Sequence, residues 1–335
     1  MSEPRIDAHI HVFPESVLEL IREERHPAGI VLLDFDGVTH VVHPEGYRYP
    51  LAPEFHRVPV LMEAVKGRGT DSAIVSPAPP LFGYQLAPEE ARLMARITND
   101  GVAAIVAERP GELAGLGTIP LANPKDAIAE LERAVNELGL AGAEIGPVVD
   151  DRWLDHEDFF PVLRAAEELG ATLFIHPYYT GHKPGLEDLY LTNLFGNPLD
   201  TGLCAARLIL SGTLDRLPDL KLLLAHGGGH LPYQAGRLAH GNSVRPELGI
   251  CSRVPTDYLT RFHYDTILFD PAALNFLIAK VGAERVVFGT DEPFDMAGGS
   301  VEDQLSEVDL DTTEEAMITG GTAAALTGVE LGLIG

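Results

Sequence analysis

Apolar residues along this chain gather into short runs, and between the runs they recur at helical spacing. Eight stretches read as strands: RIDAHIHVF (5–13), SAIVSPA (72–78), LAGLGTIP (113–120), GAEIGPVV (142–149), TLFIHPY (172–178), KLLLAHG (221–227), FHYDTIL (262–268) and RVVFGTD (285–291). Several are almost continuously apolar, as burial on both faces requires. The stretch NPKDAIAELERAVNELG (123–139) predicts a helix, with Asn123 as its cap, Pro124 at its first position and a closing Gly139. DFFPVLRAAEELG (158–170) and DPAALNFLIAKVG (270–282) follow the same plan. Eight strands separated by helices predict an α/β protein of the (β/α)8 TIM-barrel type, not an open doubly wound sheet.

Residues 14–52 break the alternation. GIVLLDFDGVTHVVHPEGYRYP (29–50) predicts a short antiparallel ribbon, inserted before the helix in PEFHRVPVLMEAVKGRG (53–69). An insertion after the first strand would form a flap over the C-terminal mouth of a barrel, where ligands bind. Residues 300–335 form an acidic tail, predicted helical from Thr312 to Thr327. No repeat or low-complexity linker divides the chain, so residues 1–335 read as one domain.

Composition then narrows the function. A net charge of −26 over 335 residues repels nucleic acid and anionic lipid, so neither is an expected partner. An anionic substrate would need local cations. Hydrophobic residues make up 45% of the chain, enough for a large core, yet no apolar run approaches the ~20 residues of a membrane span. The N-terminus lacks the basic and then apolar pattern of a secretory signal. Cys204 and Cys251 form neither a CxxC motif nor a disulfide framework, which fits a reducing cytoplasm.

Polar residues at strand ends carry the chemistry. His9 and His11 lie two apart on the first strand, so both imidazoles can face the barrel axis. His176 follows TLFI, His226 follows LLLA, and Asp291 follows VVFGT. All five fall at the barrel face that carries active sites. Buried histidines without partners are costly, so this convergence predicts a metal site. Imidazole and carboxylate ligands suit Zn²⁺, and Mn²⁺ is also possible. A histidine left unligated titrates near neutrality and can move a proton.

These motifs resemble the amidohydrolase superfamily: HxH on strand one, HP on strand five, HGGG on strand six and GTDEPF on strand eight. More narrowly, they resemble the branch around aminocarboxymuconate semialdehyde decarboxylase. The resemblance covers residues 5 to about 295. It implies one zinc-type metal held by His9, His11, His176 and Asp291 together with water. It also implies catalytic roles for Asp291 and for His226, with metal-bound water and His226, an acid/base, in proton transfer. The implied reaction is non-oxidative decarboxylation of a small unsaturated or aromatic carboxylate, of carboxymuconate semialdehyde or hydroxybenzoate type. Hydrolysis of an amide, lactone or C–C bond, or hydration, is the alternative on the same ligands. Arg48 aligns with a substrate-binding arginine, and Arg237 with one that reaches a neighbouring subunit's site, implying a homodimer. Phe82 and Tyr178 could wall the pocket. Strand four lacks the bridging lysine of binuclear relatives but carries Glu144. Pointing inward, Glu144 would allow a second ion with His226 as its ligand and favour hydrolysis; otherwise it pairs with an arginine or packs beneath the site.

Two other motifs mislead. IVLLDFDGVTH (30–40) imitates an aspartyl-phosphate motif, with Asp34 as nucleophile and Asp36 as acid, but the residues that follow read as a returning strand. HGGG imitates an esterase oxyanion loop, but no GxSxG nucleophile elbow occurs. The glycines instead predict a tight backbone turn into a helix beginning near Leu231, with His230 at its start.

Overall fold

The computed structural model describes residues 4–44, 47–178 and 184–329; residues 45 and 46 of the flap and 330–335 of the tail lie outside them. Eight parallel strands form the centre: β1 (Ile6–Val12), β2 (Ser72–Pro77), β3 (Leu113–Gly115), β4 (Gly142–Ile145), β5 (Thr172–Ile175), β6 (Lys221–Leu224), β7 (Phe262–Asp265) and β8 (Val286–Val287). β1 to β3 pair in chain order, as do β4 to β8. Two seams close the ring. At one, Gly117 donates to the Gly142 carbonyl at 2.9 Å and Glu144 to the Gly117 carbonyl at 2.8 Å. At the other, Ala8 donates to Phe288 at 2.9 Å and His11 to Glu292 at 2.7 Å. The fold is the expected TIM barrel.

The helices surround it: Val58–Gly67, Pro88–Ala107, Pro124–Asn136, Phe160–Leu169, Asn197–Leu210, Leu231–Val244 and Pro271–Val281. Their starts follow the proline rule better than the capping rule. Asp270 caps its helix by accepting from Ala272 N at 2.9 Å. Asn123 does not cap, because its amide donates instead to Asp126 Oδ2 at 2.9 Å.

The first strand contains an irregularity that the site depends on. Ile6 and Ala8 pack inside the barrel with Ile74, Phe174, Leu223 and Val287. Strict alternation would place Ile10 there too. Instead Ile10 and Val12 pack outward with Val58, Leu61 and Val65. The register against β2 shifts between Asp7 and Ile10. This bulge reverses the pleat and turns His9 and His11 to the axis. Below them the bottom of the barrel is filled by the cluster that includes Ala323 and Leu326 of the tail helix Thr322–Thr327.

The flap is a three-stranded antiparallel ribbon, Val31–Phe35, Val38–Val42 and Arg48–Pro50, preceded by a helix, Glu15–Arg22, that the pattern did not predict. Asp34 is exposed there and accepts from the Thr39 hydroxyl at 2.7 Å, while Asp36 turns the hairpin at φ 50°. The DxD stretch is thus a ribbon tip, not a central parallel strand. No helix among the described residues is long and apolar enough to cross a membrane.

Candidate metal centre

Above the apolar plug, ionisable side chains replace aliphatic ones on the inward face. One ligand atom from each of His9, His11, His176 and Asp291 lies within 4.8 Å of the other three, and all four residues are buried. His9 Nε2 and His11 Nε2 are 3.1 Å apart. Asp291 Oδ1 is 3.0 Å from His11 Nε2 and 3.5 Å from His9 Nε2.

Hydrogen bonds on the far ring nitrogens set which atoms face the centre. His9 Nδ1 lies 2.7 Å from Asp265 Oδ2, and His176 Nδ1 lies 2.6 Å from the Pro177 carbonyl oxygen. Each Nδ1 must donate to its acceptor, so each Nε2 presents a lone pair. His176 Nε2 and Asp291 Oδ1 have no hydrogen-bond partner among the described residues. Lone pairs and a carboxylate oxygen crowded into a buried space repel one another unless a cation sits between them. Three nitrogens and one oxygen are a donor set for Zn²⁺ or a similar ion, so the residues fit the metal. The groups behind the ligands are those such a site requires.

Burial, which disfavours the charged ring, holds His9 below its ordinary pKa and His176 well below it. For Asp291, burial acts upward, but contacts with His11 and His226 outweigh it and hold the carboxyl well below the usual range. Burial also acts downward on His11, but the Glu144 and Asp291 carboxylates outweigh it and raise its pKa, so His9, His176 and Asp291 stand in their metal-binding protonation states near neutrality and His11 must lose its proton to bind an ion.

His226 stands outside the four-atom set. Its Nε2 is 3.4 Å from Asp291 Oδ2, and its Nδ1 has no partner among the described residues. Burial works against its charged form, but the Asp291 contact outweighs this and raises its pKa. The backbone makes this placement possible. His226, Gly227, Gly228 and Gly229 all have φ between 56° and 74°, a region non-glycine residues rarely enter. The run is a tight turn from β6 into the helix at Leu231, with His230 at the position before that helix, as the glycines predicted.

Glu144 takes the inward orientation of the first alternative, against the second. It faces inward and is fully buried, but it is not one of the four converging groups. Its oxygens lie 3.7 Å from His11 Nδ1 and 3.8 Å from His176 Nδ1, the nitrogens turned away from the centre. Burial lifts its pKa to about 7.

Sequence patterning missed Asp265. It ends β7 and binds two functional groups at once. Besides His9 Nδ1, it accepts from His226 N at 2.9 Å and Gly227 N at 2.8 Å. One carboxylate thereby joins a metal ligand to the turn that carries His226. The available signal was an aspartate ending a barrel strand, in FHYD, the same signal used for Asp291.

The centre opens into a cleft. His176, His226 and Asp291 form its floor, Tyr47, Tyr178, Tyr190 and Phe294 are aromatic walls, and Asn193 and Asn197 are polar. Tyr178 lines the cleft. Phe82 lies one layer back, with its ring 5.5 Å from that of Tyr178. Arg48 is exposed and stacks on Phe35 at 4.1 Å within the flap, away from the lining. Arg237 is exposed on the helix Leu231–Val244 and does not line this chain's cleft.

A family model described as amidohydrolase matches residues 6–329. The chain belongs to the amidohydrolase family. Within that family it is 33% identical to the 2-amino-3-carboxymuconate-6-semialdehyde decarboxylase of Dictyostelium discoideum, over 97% of this chain and 92% of that one. A 5-carboxyvanillate decarboxylase from Sphingomonas paucimobilis has a similar structure, with a TM-score of 0.82 at 25% identity, covering 98% of this chain and all of the other. A dihydroxybenzoic acid decarboxylase from Polaromonas, solved with bound manganese, matches with a TM-score of 0.75 at 24% identity, covering 98% and 97% of the two chains; that likeness supports the fold.

Proposed function

We propose that this protein is a metal-dependent carboxy-lyase that removes CO₂ from a small unsaturated or aromatic carboxylate without oxidation. The observation that carries the reading is the convergence of His9, His11, His176 and Asp291 beneath a cleft, with His226 left over beside them. Relatives named as decarboxylases, one of them similar over nearly the whole chain, support it.

A divalent ion at this site, zinc or alternatively manganese, supplies Lewis acidity toward substrate oxygens. The chain's residues do the rest. Tyr47, Tyr178, Tyr190 and Phe294 form a slot that suits a planar substrate and restricts water. Breaking the C–CO₂ bond leaves an electron pair on carbon, which requires one proton. His226, raised in pKa by Asp291 and at the cleft floor, is placed to hold that proton at Nε2 and deliver it. Phe82 supports Tyr178 from behind. Arg48 reaches substrate only by leaving Phe35 with the flap, and Arg237 serves a neighbouring subunit in a cytoplasmic homodimer.

The test is a panel of ¹³C-carboxylate substrates, carboxymuconate semialdehydes and hydroxybenzoates, assayed for labelled CO₂ with metal content measured in parallel. CO₂ release with about one zinc or manganese per chain, lost on chelation and regained on adding the ion, is the expected result. Lactone or amide hydrolysis without CO₂ release would transfer the protein to the hydrolytic branch.

A further inference from the structure

Asp291 has a left-handed backbone, φ 63°, in a segment beyond the last strand. Such a conformation persists only where its surroundings over-determine it. Three backbone bonds contribute: Asp291 N to the His9 carbonyl at 2.8 Å, His11 N to the Glu292 carbonyl at 2.7 Å, and Gly298 N to the Thr290 carbonyl at 2.7 Å. The side chains of the two consecutive acids go opposite ways. Asp291 turns to the imidazoles, while Glu292 turns outward to Arg68, 2.5 Å from its guanidinium.

Arg68 is itself well anchored. It follows the helix Val58–Gly67 and donates its N–H to the carbonyls of Ala64 and Val65. Its own carbonyl accepts from Val301 N at 3.0 Å. Arg68 and Glu292 are largely covered, with side chains 20% and 18% exposed. Glu54 and Asp291 place further negative charge near Glu292. Arg68 therefore opposes the repulsion that would swing Glu292, and the peptide shared with Asp291, away from this position.

We propose that Arg68 is a positioning residue of the metal centre, fixing the Asp291 carboxylate through its ion pair with Glu292. The inference rests on reading His9, His11, His176 and Asp291 as metal ligands and is independent of which reaction follows. It gives Glu292 of the GTDEPF motif a role.

The sign of one measurement separates positioning from simple charge. Removing a cation near a metal site tightens metal binding if only charge matters. Loss of positioning weakens it, by about 10- to 100-fold for groups behind the ligands. Metal-free wild type, Arg68→Ala, Arg68→Met, Glu292→Ala and the Arg68→Ala/Glu292→Ala double variant are titrated calorimetrically with Mn²⁺ and Zn²⁺. Their unfolding temperatures are recorded without metal. At least tenfold weaker binding in Arg68→Ala is expected, with no further loss when Arg68→Ala is added to Glu292→Ala. Arg68→Met keeps the aliphatic stem and gives the same reading if the alanine variant fails to fold. Unchanged or tighter binding in a folded Arg68 variant overturns the proposal, as do additive losses in the double variant. A wild type that binds neither ion overturns the metal reading and this inference with it.

Discussion

At the scale of single residues, the proposed function separates holding a cation from moving a proton. His226→Ala is expected to keep the metal and lose turnover, because His226 Nε2 contacts Asp291 Oδ2 from outside the converging set. Metal analysis beside a CO₂ assay checks this; metal loss in the variant would contradict it. Asp265→Asn is expected to impair both properties. It weakens the acceptor that fixes the His9 tautomer and the anchor of the His226 turn, and changes at such positions cost about 10- to 100-fold in affinity or activity. Calorimetric metal titration and steady-state kinetics on the same preparation test it. His9 and His11 were legible because they lie two apart on β1, and His176, His226 and Asp291 because each puts a polar group where an apolar strand ends. Asp265 obeys the same rule but follows the polar-looking FHY, so it did not stand out. Glu144 was visible as a residue but not as a position, because which ring nitrogen it faces depends on packing across three strands. Arg68 carried no local signal, since its partner lies 224 positions along the chain (292 − 68).

At the scale of elements, alternation predicted strands and helices but not the fine turns of the backbone. The β1 bulge was invisible because residues on both sides of it are apolar, so reversing the pleat leaves the pattern unchanged. Without it His9 and His11 would face the helices, and the HxH reading would fail although the sequence is the same. β3 and β8 are shorter than their apolar runs because neighbouring residues leave the ladder at the two seams. The HGGG turn was legible as a turn, and its steric demand is severe. A β-carbon on Gly229 would stand 1.9 Å from the Pro198 carbonyl oxygen. Gly229→Ala is therefore expected to cost about 3 kcal/mol or more of stability through backbone displacement, readable in denaturant unfolding. An Ala variant as stable as wild type would show that the turn relaxes freely.

At the scale of the whole molecule, several histidines are folded away neutral. Burial holds His26 and His43 of the flap at about 4, and likewise His263 of β7. Each folded value lies below the ordinary 6.5, so between these values the unfolded chain binds more protons than the folded one. Stability then rises with pH across this window and is lost as pH falls from about 6.5 to 4. His43→Gln should flatten that decline in melting temperature, and an unchanged slope would reject the assignment. The four converging groups come from three separated places in the barrel, His9 and His11 from β1, His176 from the end of β5 and Asp291 from beyond β8. A cation held by all four would act as a cross-link, joining the first strand to the last across 282 positions (291 − 9) and tying both to the middle of the ring.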